Sequence, residues 1–380
     1  MENITFFPPI TNDTVFPSMA NATGSPPTNE SAPSASNSNV TNVVIVSLLS
    51  FVIIAGVIGN FMVIVTILGK QSMRSPCNLF IMNIAIADLL VSIILTPLRM
   101  AELFKGWPLG EFLCRFVGPI QDVIVCVSVV THTVIALERH RGIVTPFKPK
   151  LSLRKAKIVI AVIYCACYVL VGLPLALVLR EVDTYCLAQW PSIKYRRIFE
   201  VFLVAFFVFL PLVVQTVTYI KIVATIKKED ASTQISRSGT VEQRRNQIRK
   251  KARLVKMLII LVVVFQVCYI PRGIFMLIYE FASKTYKMEN HQSISIASIA
   301  TITLYYLKHV FNPFILFAMS TEFRKNCFLC QKTCRKKLDI VSSVARYVSQ
   351  HSNSEEKEMK TLCETSPELC KEHKDKETNV

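Results

Sequence analysis

Seven apolar runs, at about residues 43–68, 78–98, 116–137, 156–179, 198–226, 254–279 and 293–319, alternate with short polar intervals along this chain. Each run is close to the roughly 20 residues that a helix needs to cross about 30 Å of hydrocarbon at 1.5 Å per residue. The pattern predicts an all-α membrane protein: a seven-transmembrane helix bundle, followed by a short amphipathic eighth helix. The third run sets the frame for the others. It starts just after Cys114, carries Asp122 as its only charge between Arg115 and Glu138, and stops in the cluster Glu138-Arg139-His140-Arg141. Run seven is the least uniform, because Lys308 and His309 interrupt it.

Charge then orients the runs. The chain is 52% hydrophobic and 18% charged, with a mean hydropathy of +0.42, a balance that suits a polytopic membrane protein. A net charge of +17 does not imply nucleic acid, because the basic residues sit in short clusters between apolar runs. Those clusters follow the odd-numbered runs: Arg141, Lys148 and Lys150 after run three, Arg244 to Arg253 before run six, and Arg324 to Lys337 after run seven. By the positive-inside rule the amino terminus is extracellular and the tail cytoplasmic.

Three segments are expected. Residues 1–42 lack Lys and Arg, are rich in Ser, Thr, Asn and Pro, and read as a disordered arm. Their sequons at Asn3, Asn12, Asn21, Asn29 and Asn39 point to glycosylation outside the cell. No basic stretch followed by an apolar one marks a cleaved signal peptide, so the first run is expected to insert as its own anchor. Residues 43–335 form the bundle, and 336–380 a disordered cytoplasmic tail. Of twelve cysteines, Cys114 and Cys186 alone lie outside the runs on the extracellular side, where a disulfide is the economical reading. Cys327, Cys330 and Cys334 lie among basic residues beyond run seven and read equally as palmitoylation sites or as ordinary cysteines.

Several short motifs fall in order on these runs. They are Gly59-Asn60, Asn83-Ile-Ala-Ile-Ala-Asp88-Leu, Trp107 before Cys114, Glu138-Arg139-His140 with Pro146 downstream, Pro174, Pro211 with Tyr219, Phe265-Gln-Val-Cys268-Tyr269-Ile-Pro271, and Asn312-Pro313. Together they resemble a rhodopsin-like (class A) G-protein-coupled receptor over residues 43 to about 335, closest in character to neuropeptide receptors. There are departures from the family's pattern. His140 stands for a tyrosine, Tyr164 for the usual tryptophan of run four, Tyr269 for the toggle tryptophan, and Leu316 for the tyrosine of Asn-Pro-X-X-Tyr.

The resemblance implies roles. Glu138, Arg139, Tyr219, Asn312 and Pro313 would form the switch that meets a heterotrimeric G protein. Lys251 cannot restrain Arg139, which leaves Glu138 alone to hold it. Gln121 occupies the place where amine receptors carry an Asp, and Asp122 points about 100° away. Tyr306 occupies the place of the retinal lysine. An extracellular peptide is therefore expected at Gln121, Asp122, Arg272, Tyr269, Tyr306, Arg99 and Glu200. Arg272, near mid-span, reads either as a contact for a peptide carbonyl or carboxylate, or as the internal partner of Glu280 or Glu200. Asp88, with Ser128 and Asn60, matches a core site that binds sodium in many relatives. Lys308 and His309 lie four and three residues before Asn312, on the neighbouring face. Either Lys308 pairs with Asp88 and takes the ion's place, or Lys308 turns elsewhere, His309 is a neutral hydrogen-bonding core residue and Asp88 is left to bind sodium.

Serines in the tail would recruit arrestin, and Thr378-Asn379-Val380 fits a PDZ groove. No cofactor and no catalytic motif is expected. The competing class is an intramembrane ion or proton transporter, motivated by the ionisable residues Asp88, Lys308 and His309. It would lead one to expect internal repeats, and the sequence has none.

Overall fold

The structure is a computed structural model. It describes residues 35–149, 151–182, 185–235 and 241–327, without the side chains of 35–42, 99, 102–105, 234, 235 and 241. Seven helices are long and apolar enough to span a membrane: Val43–Gly69, Pro76–Leu98, Gly110–Ile143, Leu153–Val178, Ile193–Thr233, Glu242–Phe281 and His291–Met319. They are spans one to seven below. Many large apolar side chains face outward on them, among them Phe51, Ile54, Ile220, Val267 and Phe314. A bilayer covers such a surface without cost. The chain is thus a multi-pass membrane protein.

Local chemistry sets the helix ends. Ser75, Ser152 and Ser192 begin spans two, four and five by accepting a hydrogen bond from a first-turn amide. Pro76 follows Ser75 at the first helical position, where its missing N–H costs nothing. The first helix reaches back to Ala35, into the arm expected to be disordered. No proline stands between Ser34 and the apolar run, so nothing breaks helix propagation there. The expected short eighth helix is Thr321–Asn326.

The span prolines split into two kinds. Pro97, Pro174 and Pro211 each follow a π-helical turn, at Val91–Leu95, Tyr168–Gly172 and Ala205–Phe209. A proline ring clashes with the carbonyl four residues before it. In each case that carbonyl (Ile93, Leu170 or Phe207) lies inside the π turn, whose wider i→i+5 closure accommodates the ring. Pro271 and Pro313 instead sit inside uninterrupted α-helix.

One end of the bundle is pinned covalently. Strands β1 (Leu179–Val182) and β2 (Tyr185–Ala188) form an antiparallel hairpin after span four, with Glu181 opposite Cys186. Cys186 is bonded to Cys114 at the start of span three, as the sequence led one to expect. The Glu111 carboxylate accepts a hydrogen bond from the Glu181 amide and pairs with Arg115, a second tie on the same turn. Before span three, Gly110 adopts φ 74° and its carbonyl accepts the Trp107 Nε1–H at 2.9 Å. A side chain at Gly110 would strain that turn. On spans one and seven, a Cβ on Gly59 would lie 2.7 Å from the Pro313 ring, so glycine sets their close approach.

Candidate functional site

Three polar clusters stack along the bundle axis, and span three touches each. The middle cluster centres on Asp88, which is 1% exposed. Its Oδ1 faces His309 Nδ1 at 2.7 Å, and its Oδ2 accepts from Asn312 Nδ2 at 2.7 Å. Asn60 donates from Nδ2 to the His309 and Gly56 carbonyls, each at 2.9 Å, joining spans one and seven. Asn83 donates to Thr131 and so links spans two and three.

Of the two arrangements the sequence left open for Lys308, the geometry is that of the second. Lys308 is buried, yet its Nζ makes no hydrogen bond among the described residues. It sits 4.8 Å from the ring centre of Tyr305, 5.0 Å from Phe265 and 5.8 Å from Tyr269. Its ammonium thus lies among three aromatic faces from spans six and seven, where ring quadrupoles attract it. Helical offset left two neighbours available to Asp88, and the shorter, planar imidazole takes the carboxylate. The Ser128 hydroxyl donates to the Ile124 carbonyl of its own helix at 3.0 Å.

At the end opposite the disulfide, Arg139 Nε meets Glu138 Oε2 at 2.6 Å. Tyr219 is buried nearby, with no hydrogen bond to its hydroxyl among the described residues. Lys251 does not approach Arg139 and instead pairs with Glu229 at 3.1 Å, fastening span six to the extension of span five. Glu229 escaped the sequence reading. Its signal was an acid, beside Asp230, in a mainly basic interval.

At the disulfide end, Gln121 and Asp122 are both buried, and Gln121 Nε2 donates to the Tyr306 hydroxyl at 3.2 Å. Arg272 is fully buried, directly after Pro271. Its Nη1 reaches the hydroxyls of Ser298 at 3.4 Å and Thr301 at 3.5 Å, and its guanidinium lies over Phe275. Neither of the expected internal partners holds it. Glu280 pairs with Arg196, a buried ion pair that sequence reasoning missed because 84 residues separate its members. Glu200 is buried with Oε2 unpartnered among the described residues. The side chain of Arg99 lies outside the described residues.

A further missed element links the clusters. Gln266 Nε2 donates to Gln215 Oε1 at 3.1 Å, and Gln215 Nε2 donates to Thr133 Oγ1 at 2.8 Å. This chain of amides joins spans six, five and three in the apolar interior. Lone glutamines inside apolar runs were the available signal, since such groups need partners in lipid. Asn3, Asn12, Asn21, Asn29, Cys330 and Cys334 lie outside the described residues, as does the side chain of Asn39. Cys327 is free and buried.

The family model of the seven-transmembrane receptors of the rhodopsin family matches residues 59–316. The pyroglutamylated RF-amide peptide receptor of Rattus norvegicus is 30% identical over 283 residues, which are 70% of this chain and 65% of its own length. The match thus spans slightly less than two thirds of that relative. The neuropeptide Y receptor type 2 of Cavia porcellus is 30% identical over 328 residues, 81% of either chain. Neuropeptide FF receptor 1 of Rattus norvegicus is 32% identical over 241 residues, 59% of this chain and 55% of its own length.

Proposed function

Because the chain belongs to the rhodopsin family of seven-transmembrane receptors, we propose that it is a plasma-membrane receptor that binds an extracellular peptide and activates a heterotrimeric G protein. One observation carries this reading. A single helix, span three, bears the disulfide anchor Cys114 at one end, Gln121 among buried polar groups below it, and the Glu138–Arg139 pair at the other end. A ligand that shifts the first end relative to spans five, six and seven acts on the second through one rigid rod. The names of three relatives, each a receptor for a neuropeptide or an RF-amide peptide, support a peptide. No catalytic step enters the reading.

In this reading the disulfide end is extracellular, as the basic clusters at the other end favour. Ligand contacts fall to Gln121, Asp122, Tyr269, Tyr306, Arg272, Glu200 and Arg99. Glu138 holds Arg139 until a G-protein helix displaces it, and Tyr219, Asn312 and Pro313 lie along the route of the change. Glycans on the amino-terminal arm, palmitate near Cys327, arrestin on the phosphorylated tail and a PDZ domain at Val380 complete the partners. The test is a neuropeptide library screened in cells with sensors for several G proteins. An agonist found there should lose all signalling in Arg139→Ala at equal surface expression. Glu138→Gln should raise basal signalling. A screen without agonists, or an Arg139→Ala variant that still signals fully, would overturn the reading.

A further inference from the structure

The disulfide end leaves two buried ionisable side chains with unused polar atoms. Arg272 has Nη1 held by Ser298 and Thr301, while Nε and Nη2 have no hydrogen-bond partner among the described residues. Nε and Nη2 form one edge of the guanidinium fork, the edge that grips a carboxylate with two parallel hydrogen bonds. The hydroxyl contacts and the Phe275 ring fix the plane of the group. On span five, Glu200 Oε2 is likewise buried and unpartnered. The two groups make no ion pair with each other among the described residues. Of the other acids in the region, Glu280 is already taken by Arg196, and Asp122 is buried on span three.

Buried charges without partners are costly, and removing both members is often neutral or stabilising. Two such groups at the end of the bundle where the peptide is read to enter are understandable if a ligand supplies the partners. Resting on that receptor reading, we infer that Arg272 and Glu200 form a divided site for the zwitterionic end of a peptide: its terminal carboxylate on Arg272 and a basic group on Glu200. An amidated terminus, of the kind one relative is named for, fits poorly. Its carbonyl serves one donor of the fork, but its NH2 meets the other donor head-on. Arg272 therefore selects a free acid over an amide.

The experiment needs no agonist. The full-length protein in lipid nanodiscs is melted with millimolar N-acetyl-arginine, which carries both charges, and with N-acetyl-argininamide, which carries only the guanidinium. The free acid should raise the melting temperature by a few degrees and the amide by clearly less. Arg272→Gln should abolish the difference between the probes, and Glu200→Gln should weaken both shifts. Arg272→Lys, which keeps the charge but loses the fork, should retain only part of the preference for the acid. The double variant Arg272→Gln with Glu200→Gln should melt no lower than wild type without probe, and should ignore both compounds. Equal shifts with acid and amide, or no shift with the acid, would overturn the inference. So would a double variant that melts well below wild type, since the two charges would then be structural. None of these measurements involves a G protein. A failed library screen therefore leaves them standing, and their failure leaves the receptor reading standing.

Discussion

The middle cluster and the disulfide-end cluster contain the same kinds of residue and use them oppositely. Around Asp88, both carboxylate oxygens are taken within 2.7 Å by groups on span seven. Around Arg272, a fully buried side chain keeps two donors unused among the described residues, and Glu200 keeps an acceptor unused there. A satisfied buried network rigidifies the helices it joins, whereas an unsatisfied one is a liability until something completes it. Asn60 Oδ1 and His309 Nε2 also lack a partner among the described residues, so the contrast lies in the acids themselves. The fully paired Asp88 holds spans two and seven together, and the open Glu200 is left, with Arg272, for recognition. It also shows why burial alone does not tell a structural charge from a functional one.

The comparison breaks most easily at Asp88. Replacing it with alanine leaves His309 and Asn312 without their acceptor. Losing one member of a buried pair costs roughly 3–5 kcal/mol, so Asp88→Ala should show a large drop in folded receptor and in melting temperature. Neutralising Arg272 together with Glu200, by contrast, should not lower the melting temperature. If both changes destabilised equally, the distinction between the clusters would fail. Next in size is the disulfide. Cys114→Ser and Cys186→Ser should each cost about 2–4 kcal/mol, the usual worth of such a bond. The double variant should be no worse than either single one. Additive losses in a thermal melt would argue against one shared bond.

Lys308 sharpens the contrast, since it lies beside the middle cluster without pairing in it. Methionine fills similar space and sits well against aromatic rings. Lys308→Met should change stability by less than about 1.5 kcal/mol, and a loss as large as that of Asp88→Ala would mean that Lys308 holds the carboxylate after all. The smallest effect is expected at Gln266. Interhelical hydrogen bonds in membranes average about 0.6 kcal/mol in double-mutant cycles, and the Gln215–Gln266 cycle should report a coupling of that order. A coupling near zero would remove this link between spans five and six.

The spans were legible because lipid leaves a chain few choices: an apolar stretch of the right length must satisfy its own backbone as a helix. The disulfide was legible because compartment, not geometry, singled out Cys114 and Cys186. Direction within the bundle was not legible. Lys308 and His309 flank the same face of span seven, and their offsets from Asn312 do not say which reaches Asp88. Three rings decided it, two of them, Phe265 and Tyr269, on span six. The Arg196–Glu280 pair and the Gln266–Gln215–Thr133 chain were hidden for the same reason, as contacts between residues distant in sequence. The hairpin escaped because strands of four residues give too short an alternation to read.

The π turns before Pro97, Pro174 and Pro211 carry a consequence for how such a protein diverges. Each absorbs about one extra residue, and one residue turns everything beyond it by about 100°. All three turns lie towards the disulfide end of their spans, between that end and the stretches that approach Arg139. Gain or loss of a single codon there would re-aim the side chains of the outer half and leave the inner half in phase. In effect the bundle has a swivel joint in three of its staves. Descendants could thus remodel what they recognise outside while inheriting unchanged the machinery that reports it inside.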